Sequence, residues 1–308
     1  MLGANLQVGR EGVLRLKKLA AWAVMILGSA LPAHAADVLY ATGVGTGSGA
    51  GLSALYSINP TTGEATLLWN FQSIHIYGGG LAYDVASDSL YATGATNNSE
   101  EALYKIDRFA GTASLVGLMG TDAAFSQGGM SIDPTTGIMY ATGANAGPNS
   151  GFYSVNKSTG TPTHVGQATG SFTLVYGLGF RADGTLFGNG IDENPGSKLF
   201  QVDVGSGATT LLGGHGLTLG RQLAYSGLAF RSDGVMVGFG SISASRTGLY
   251  TVDQTTGAAA LIGDTGAQFG GDGGLAFAPG SPVPEPATAV VLSLGLTALL
   301  RKRPRRGA

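Results

Sequence analysis

The chain has 308 residues, of which 53 are glycine and 12% are charged, a composition typical of a compact, turn-rich protein and not of a disordered or coiled-coil one. It contains no cysteine, which excludes disulfides and thiolate metal sites. Between Ala36 and Pro282 there are 8 lysines and arginines against 17 aspartates and glutamates, a net charge of −9. This acidic balance argues against nucleic acid or an anionic membrane surface as a partner of that part of the chain.

Residues 1–35 show the three-part pattern of a secretory signal peptide. Arg15, Lys17 and Lys18 precede an apolar run from Leu19 to Leu27, and the small-residue triplet Ala33-His34-Ala35 follows. We therefore expect export and cleavage after the triplet, with the true start codon left open. The alternative is an uncleaved membrane anchor, although so short an apolar run fits a signal peptide better than a spanning helix.

Residues 281–308 show a different three-part pattern. Val283-Pro284-Glu285-Pro286 reads as a rigid extended stop, and the stretch from Ala287 to Leu300 is mostly apolar. At 14 residues, this stretch is short for a stable membrane span of ~20 residues. A cationic cluster that resists crossing a membrane ends the chain. The cluster consists of Arg301, Lys302, Arg303, Arg305 and Arg306.

This tail closely resembles the PEP-CTERM sorting signal of Gram-negative bacteria, which is handled by a membrane enzyme called exosortase. The motif residues are Pro284, Glu285 and Pro286, and the motif, the apolar run and the basic end occur in the right order at the extreme C-terminus. The resemblance implies an exosortase-like processing enzyme as a partner, membrane anchoring in transit, and release to the cell surface or an exopolysaccharide matrix. A plain C-terminal anchor is the alternative.

Between these ends, residues 36–280 consist of four short segments, named A, B, C and D, that follow one another and recur five times with a period of about 48 residues. The A segments begin at Gly79, Gly128, Gly177, Gly227 and Gly274, and the B segments at Leu39, Leu90, Met139, Leu186 and Met236. The C segments begin at Leu55, Leu103, Phe152, Leu199 and Leu249, and the D segments at Ala65, Ser114, Thr163, Thr209 and Ala260.

Four short strands per repeat are typical of a β-propeller blade, so five repeats predict an all-β, five-bladed propeller. This body begins with a B segment at Leu39 and ends with an unpartnered A segment, Leu275 to Phe277. We therefore expect the N-terminal and C-terminal strands to complete one blade and close the ring, which would remove two exposed strand edges. Hydrophobic helical segments are expected at both termini.

The links between segments fall into two classes. The A-to-B and C-to-D links, such as Asp107 to Gly111, are tight turns with glycine where a positive φ is needed, and we expect them to be scaffold. The B-to-C and D-to-A links are longer, and alternating strand directions place both on the opposite, long-loop face, where we expect binding. Its polar candidates are Asn97, Asn98, Glu100, Glu101, Asn145, Asn149, Asp192, Glu193 and Asn194. Carbohydrate or calcium sites have such residues, and so do solvated loops.

The remaining candidate residues are phenylalanines, histidines and aspartates, and their patterns give weaker indications of a binding or metal site. The D-to-A links contain Phe71, Phe125, Phe172 and Phe269, which would either stack on sugars or pack one blade against the next. His75, His164 and His215 lie in different repeats without metal-ligand spacing, so no metal or catalytic residue is predicted. Calcium is the one cofactor considered, and only if the fold brought Asp264 and Asp272 together with Asp122 or Asp192.

The sequence thus predicts an exported, non-catalytic surface or matrix propeller that binds a glycan or a protein. The alternative is a secreted propeller lyase or hydrolase, which would need histidines or carboxylates from several blades to converge on the axis. An apolar or glycine-lined axis would favour the binding protein.

Overall fold

The computed structural model describes residues 37–44, 53–71, 74–76, 80–144, 147–170, 173–194, 196–217, 223, 226–243, 246–266, 269 and 273–280. The predicted signal peptide, the Pro-Glu-Pro motif, the apolar run, the basic cluster and the expected terminal helical segments all lie outside these residues. Within the described part of the chain, no helix combines the length and the apolar character needed to cross a bilayer.

The described residues form a five-bladed β-propeller of four-stranded antiparallel blades, which confirms the predicted fold class. The strands are β1 (Asp37–Val44), β2 (Ser53–Ile58), β3 (Ala65–Phe71), β4 (Leu81–Asp84), β5 (Ser89–Ala95), β6 (Glu101–Asp107), β7 (Thr112–Gly120), β8 (Met130–Ile132), β9 (Met139–Ala144), β10 (Ser150–Val155), β11 (Pro162–Gln167), β12 (Thr173–Phe180), β13 (Leu186–Asp192), β14 (Lys198–Val202), β15 (Thr209–Gly214), β16 (Leu228–Phe230), β17 (Met236–Ser243), β18 (Arg246–Val252), β19 (Ala259–Asp264) and β20 (Leu275–Pro279).

In each blade the strands run from inside to outside in the order A, B, C, D. The five sheets are β20-β1-β2-β3, β4-β5-β6-β7, β8-β9-β10-β11, β12-β13-β14-β15 and β16-β17-β18-β19. The first blade therefore combines strands from the two ends of the body, and β1 pairs with β20 from Asp37 opposite Pro279 to Ala41 opposite Leu275. The inner strands contact one another in cyclic order, β4 with β8, β8 with β12, β12 with β16, β16 with β20 and β20 with β4.

Large side chains at the inner ends of the blades hold neighbouring blades together. Tyr140 of the third blade lies 5.8 Å, between ring centroids, from Phe180 of the fourth. Phe187 of the fourth blade lies 5.5 Å from Phe230 of the fifth. Each pair joins the second residue of a B segment to the last residue of the next A segment, so the hydrophobic core is a series of contacts between blades.

The outer strands contact the neighbouring blade through a β-bulge and a glycine. Each D strand carries a β-bulge opposite its C strand, for example between Leu199 and Phe200 in the fourth blade. The bulge bends the edge strand and brings Gly213 under the C-to-D turn of the fifth blade, where a Cβ would lie 2.9 Å from the carbonyl carbon of Thr256 and closer still to its oxygen. We call this contact between the outer strand of one blade and the C-to-D turn of the next a joint. Gly117, Gly166 and Gly263 occupy the equivalent place at three other joints. The bulge and the covering turn thus protect the edge of the sheet.

The C-to-D turns have the predicted tight geometry. In the second blade, the Asp107 carboxylate accepts the backbone N–H groups of Phe109 (2.9 Å) and Ala110 (2.8 Å). Gly111 closes the turn at a φ of 69°, the left-handed region that glycine tolerates. The donated N–H groups hold the pKa of the Asp107 carboxyl below its ordinary value.

Candidate functional site

A cavity on the propeller axis is bounded by the inner strands of all five blades and measures about 270 Å³. Side chains from the ends of the A segments and from the A-to-B links line it, so this axial cavity lies at the short-loop end of the ring. The lining includes Leu81, Ala82, Tyr83, Val85, Ile132, Pro134, Phe180, Leu228, Phe230, Leu275 and Phe277. Among the described lining residues there is no histidine and no carboxylate, and the only ionisable groups besides Tyr83 are Arg181 and Arg231.

The two arginines are already paired. Arg181 donates to Asp183 at 2.7 Å and to the side chain of Gln254 at 3.1 Å, and Arg231 forms an ion pair with Asp233. The arginine beside it lowers the pKa of the Asp233 carboxyl to about 2, and the same cause lowers that of Asp183. Each arginine of the lining is therefore neutralised by an aspartate, and most of the other lining residues are apolar.

The predicted binding residues of the second blade lie at the surface of the long-loop face. Asn97 and Glu100 are exposed, and a Glu100 carboxylate oxygen accepts the hydroxyl of Thr96 at 3.2 Å. The carboxylate of the neighbouring Glu101 is occupied by hydrogen bonds within the protein. It accepts the backbone N–H of Ser126 at 2.6 Å and the Ser126 hydroxyl at 2.8 Å. Burial is the largest influence on the pKa of the Glu101 carboxyl and raises it, while these hydrogen bonds oppose the rise.

The predicted residues of the fourth blade behave differently from one another. Asp192 forms an ion pair with Lys198 at 2.7 Å, and both side chains are nearly buried. Lys198 also donates to the backbone carbonyl of Asn194 at 2.8 Å, so the pair fixes its own loop. Glu193 points into solvent. Asn145 lies outside the described residues. Of the exposed candidates, Asn97 and Glu100 share a loop of the second blade, whereas Glu193 belongs to the fourth blade.

Asn149 is scaffold as well. Its side-chain N–H donates to the Gly170 carbonyl at 3.0 Å, and its side-chain oxygen accepts the Thr173 N–H at 2.7 Å, which ties the third blade to the fourth. A polar residue that looks like a ligand in the sequence thus satisfies backbone groups between blades.

The described phenylalanines of the D-to-A links pack inside the protein. Phe71, Phe125 and Phe269 are 3%, 0% and 1% exposed. Phe269 stacks on Phe239 at 4.6 Å and meets Tyr56 edge-on at 4.8 Å. Burial at this level leaves no ring face for a sugar, so the blade-packing interpretation holds for these three, while Phe172 lies outside the described residues.

No three histidine, aspartate or glutamate side chains of the described residues come together as a metal site. Asp264 contacts Arg246, and Asp272 lies outside the described part of the chain. His164 is exposed on an outer strand, whereas His215 is 1% exposed and its Nδ1 lies 2.8 Å from the Gly257 carbonyl of the next blade. His215 is therefore a joint residue.

Sequence reasoning missed a set of buried hydroxyls around the inner strands. Thr42, Thr93 and Thr142 accept backbone N–H groups of the A segments at 3.1, 3.1 and 2.8 Å. The signal was present in the sequence, because all three belong to the recurring Tyr-Ala-Thr-Gly of segment B. Asn189 takes the same place in the fourth blade and contacts the Leu223 carbonyl.

No protein-family model matches the chain, and no curated protein matches it. Solved structures do resemble it. A GH43 glycoside hydrolase, engineered to display both endo-xylanase and exo-arabinofuranosidase activity, superposes with a TM-score of 0.50 at 13% identity, over 78% of this chain and 53% of the other. TolB from Acinetobacter baumannii gives 0.48 at 16% identity, over 76% and 53%.

The likeness shows the fold alone. A gluconolactonase from Xanthomonas campestris gives a TM-score of 0.45 at 14% identity, over 78% of this chain and 84% of the other. This chain spans about half the length of the first two of these proteins.

Proposed function

We propose that the chain is an exported propeller, processed at its C-terminal tail by an exosortase-like enzyme, that binds a saccharide or a protein at the cell surface or in the extracellular matrix without catalysis. The ring is closed by its terminal strands, and the membrane is met only through the terminal segments. Export and processing rest on the signal-peptide pattern and on Pro284, Glu285 and Pro286 with the basic cluster behind them.

The single observation that carries the non-catalytic role is the lining of the axial cavity. Glycoside hydrolysis uses a pair of carboxylates about 5–9.5 Å apart, one of which acts as a general acid. The described residues around this cavity are mostly aliphatic and aromatic, with Ser131 and Ser232 among them, and its two arginines are paired with aspartates of their own turns. Such a lining offers surface for binding and no acid–base pair, which favours a binding protein over a lyase or hydrolase.

Processing is tested by mass spectrometry of the chain secreted from a host that carries an exosortase. We expect the extracellular protein to lack Arg305 and Arg306, and a Glu285→Ala variant to keep them and remain with the membrane fraction. Glu64→Ala, an exposed glutamate of a C-to-D turn, is the matched control and should be processed normally. Recovery of the intact basic end from extracellular wild-type protein would refute the processing claim.

Binding is tested by applying the purified full-length chain to an array of neutral and anionic glycans. We expect saturable binding to at least one polymer class. Retention of no polymer would remove saccharides as the ligand and leave a protein partner.

A further inference from the structure

The joint between the first and second blades departs from the repeat in two places that meet. At the equivalent positions of four outer strands the chain has glycine, but the first blade has Trp69. The turn that it covers also differs, since Arg108-Phe109-Ala110 replaces the small or polar residues of the other C-to-D turns. The Trp69 indole N–H donates to the Arg108 carbonyl at 3.0 Å. Four joints form without either feature, so the fold does not require them.

Arg108 fixes this turn from within. Its side chain is only 3% exposed, and it donates to the Asp88 carboxylate at 2.7 Å and to the Pro279 carbonyl at 3.3 Å. Its guanidinium carbon lies 4.3 Å from the centroid of the Phe109 ring. The cation thus covers one face of that ring and holds it in place, while Phe109 as a whole remains 43% exposed. Phe109 is a rigid aromatic side chain presented to solvent.

A groove of about 470 Å³ runs beside this ring. Its walls carry hydrogen-bonding groups of negative, positive and zero charge. These are the carboxylates of Asp88 and Asp107, the ammonium group of Lys105 and the hydroxyl of Ser114. The Asp88 side chain is 62% exposed, and Arg108 and Tyr83 both donate to the same one of its carboxylate oxygens. The groove has the volume of a small-ligand site and combines one apolar face with several charged hydrogen-bonding groups.

We propose that this groove is a saccharide-binding site, with Phe109 stacking on the apolar face of a neutral sugar ring and Asp88, Asp107 and Lys105 bonding its hydroxyls. The alternation of C–H faces and hydroxyl edges on a sugar matches an aromatic ring flanked by ionised groups. The inference rests on the proposed binding function, and it places the ligand on the short-loop side of the second blade, away from the long-loop face.

The chain provides its own reporter for this site. It contains two tryptophans, Trp22 in the predicted signal peptide and Trp69 at the joint. In a Trp22→Phe background, the fluorescence of the full-length protein comes from Trp69 alone. The probes are cellotetraose, xylotetraose and mannotetraose, titrated separately while emission is recorded.

We expect a saturable change of Trp69 emission with at least one tetraose. Phe109→Ala should weaken that binding about tenfold, the loss of one aromatic contact. Leu211→Ala, which removes a side chain of similar exposure (51%) from the outer strand of the fourth blade, should leave binding unchanged. Equal thermal midpoints of the two variants would show that both fold.

The contrary outcomes are distinct. One outcome would overturn the site but leave the proposed function standing: the protein binds the glycan array, Trp69 emission does not change, and Phe109→Ala binds with normal affinity. In that case, loss of binding in Glu100→Ala would place the ligand on the long-loop face. Binding of anionic glycans only would overturn the neutral-sugar assignment. Binding of no glycan in either assay would overturn the site together with the saccharide-binding function.

Discussion

Gly213→Ala tests how the blades are held together. The added methyl group would meet the backbone of Thr256 in the next blade, 2.9 Å from its carbonyl carbon and nearer to its oxygen. A backbone carbonyl cannot swing away as a flexible side chain would, so the fourth and fifth blades must separate. Moving them also strains the joint contacts of His215, whose carbonyl accepts the Ala259 N–H at 3.1 Å and whose ring bonds Gly257 at 2.8 Å.

The steric clash and the weakened hydrogen bonds together set the expected loss in the free energy of unfolding. Overpacking costs about 1–3 kcal/mol, and each weakened hydrogen bond adds about 1 kcal/mol. Alanine also stabilises the folded protein by about 0.4–1 kcal/mol, because it restricts the conformations of the unfolded chain more than glycine does. We therefore expect a loss of about 2–4 kcal/mol in the free energy of unfolding. For a domain of this size, 3 kcal/mol lowers the thermal midpoint by roughly 6–12 °C.

The adjacent residue supplies the control. A Cβ on Gly214 would come no closer than 4.0 Å to a neighbouring atom, the Ser197 oxygen, and its φ lies outside the left-handed region. Gly214→Ala should therefore be neutral or slightly stabilising. Urea unfolding of both variants, followed by circular dichroism, measures the difference. Equal stabilities of the Gly213 and Gly214 variants would refute the joint geometry.

Three further predictions concern buried groups. Asp88→Ala should destabilise the protein more than Arg108→Met, by about 1–2 kcal/mol in urea unfolding, because it leaves a buried guanidinium without its carboxylate; the reverse order would contradict the account. Burial lowers the pKa of His215, so the unfolded chain takes up the proton first and stability should fall as the pH drops below about 6.5; His215→Gln should flatten that slope in thermal melts, and an unchanged slope would contradict this assignment. Thr93→Val should cost about 1–3 kcal/mol, since its hydroxyl accepts a buried amide, and an unchanged midpoint would argue against that bond.

The repeat pattern predicted the blades because strand length, turn chemistry and period are local properties. The turn from Asp107 to Gly111 is one case: its carboxylate and its glycine act within five residues, and the structure places both as the sequence predicts.

The partners of individual side chains were not predictable in the same way. The sequence predicts Asp192 on a binding loop but does not show that Lys198, six residues later on the next strand, forms an ion pair with it. Trp69 and Arg108 meet across 39 residues of sequence, and only the ring geometry brings them together. The expectation that the turn around Asp107 is scaffold is correct for its backbone, but it gave no sign of the aromatic groove beside it.

Binding and turnover measured in one tube decide whether this propeller binds saccharide without cleaving it. The purified full-length chain is incubated with the polysaccharide that it retains best on the array, bound protein is measured by co-sedimentation, and new reducing ends are counted over the same period. We expect saturable co-sedimentation with no increase in reducing ends. New reducing ends or new unsaturated ends formed in proportion to the protein added would contradict it and establish the propeller as a hydrolase or lyase.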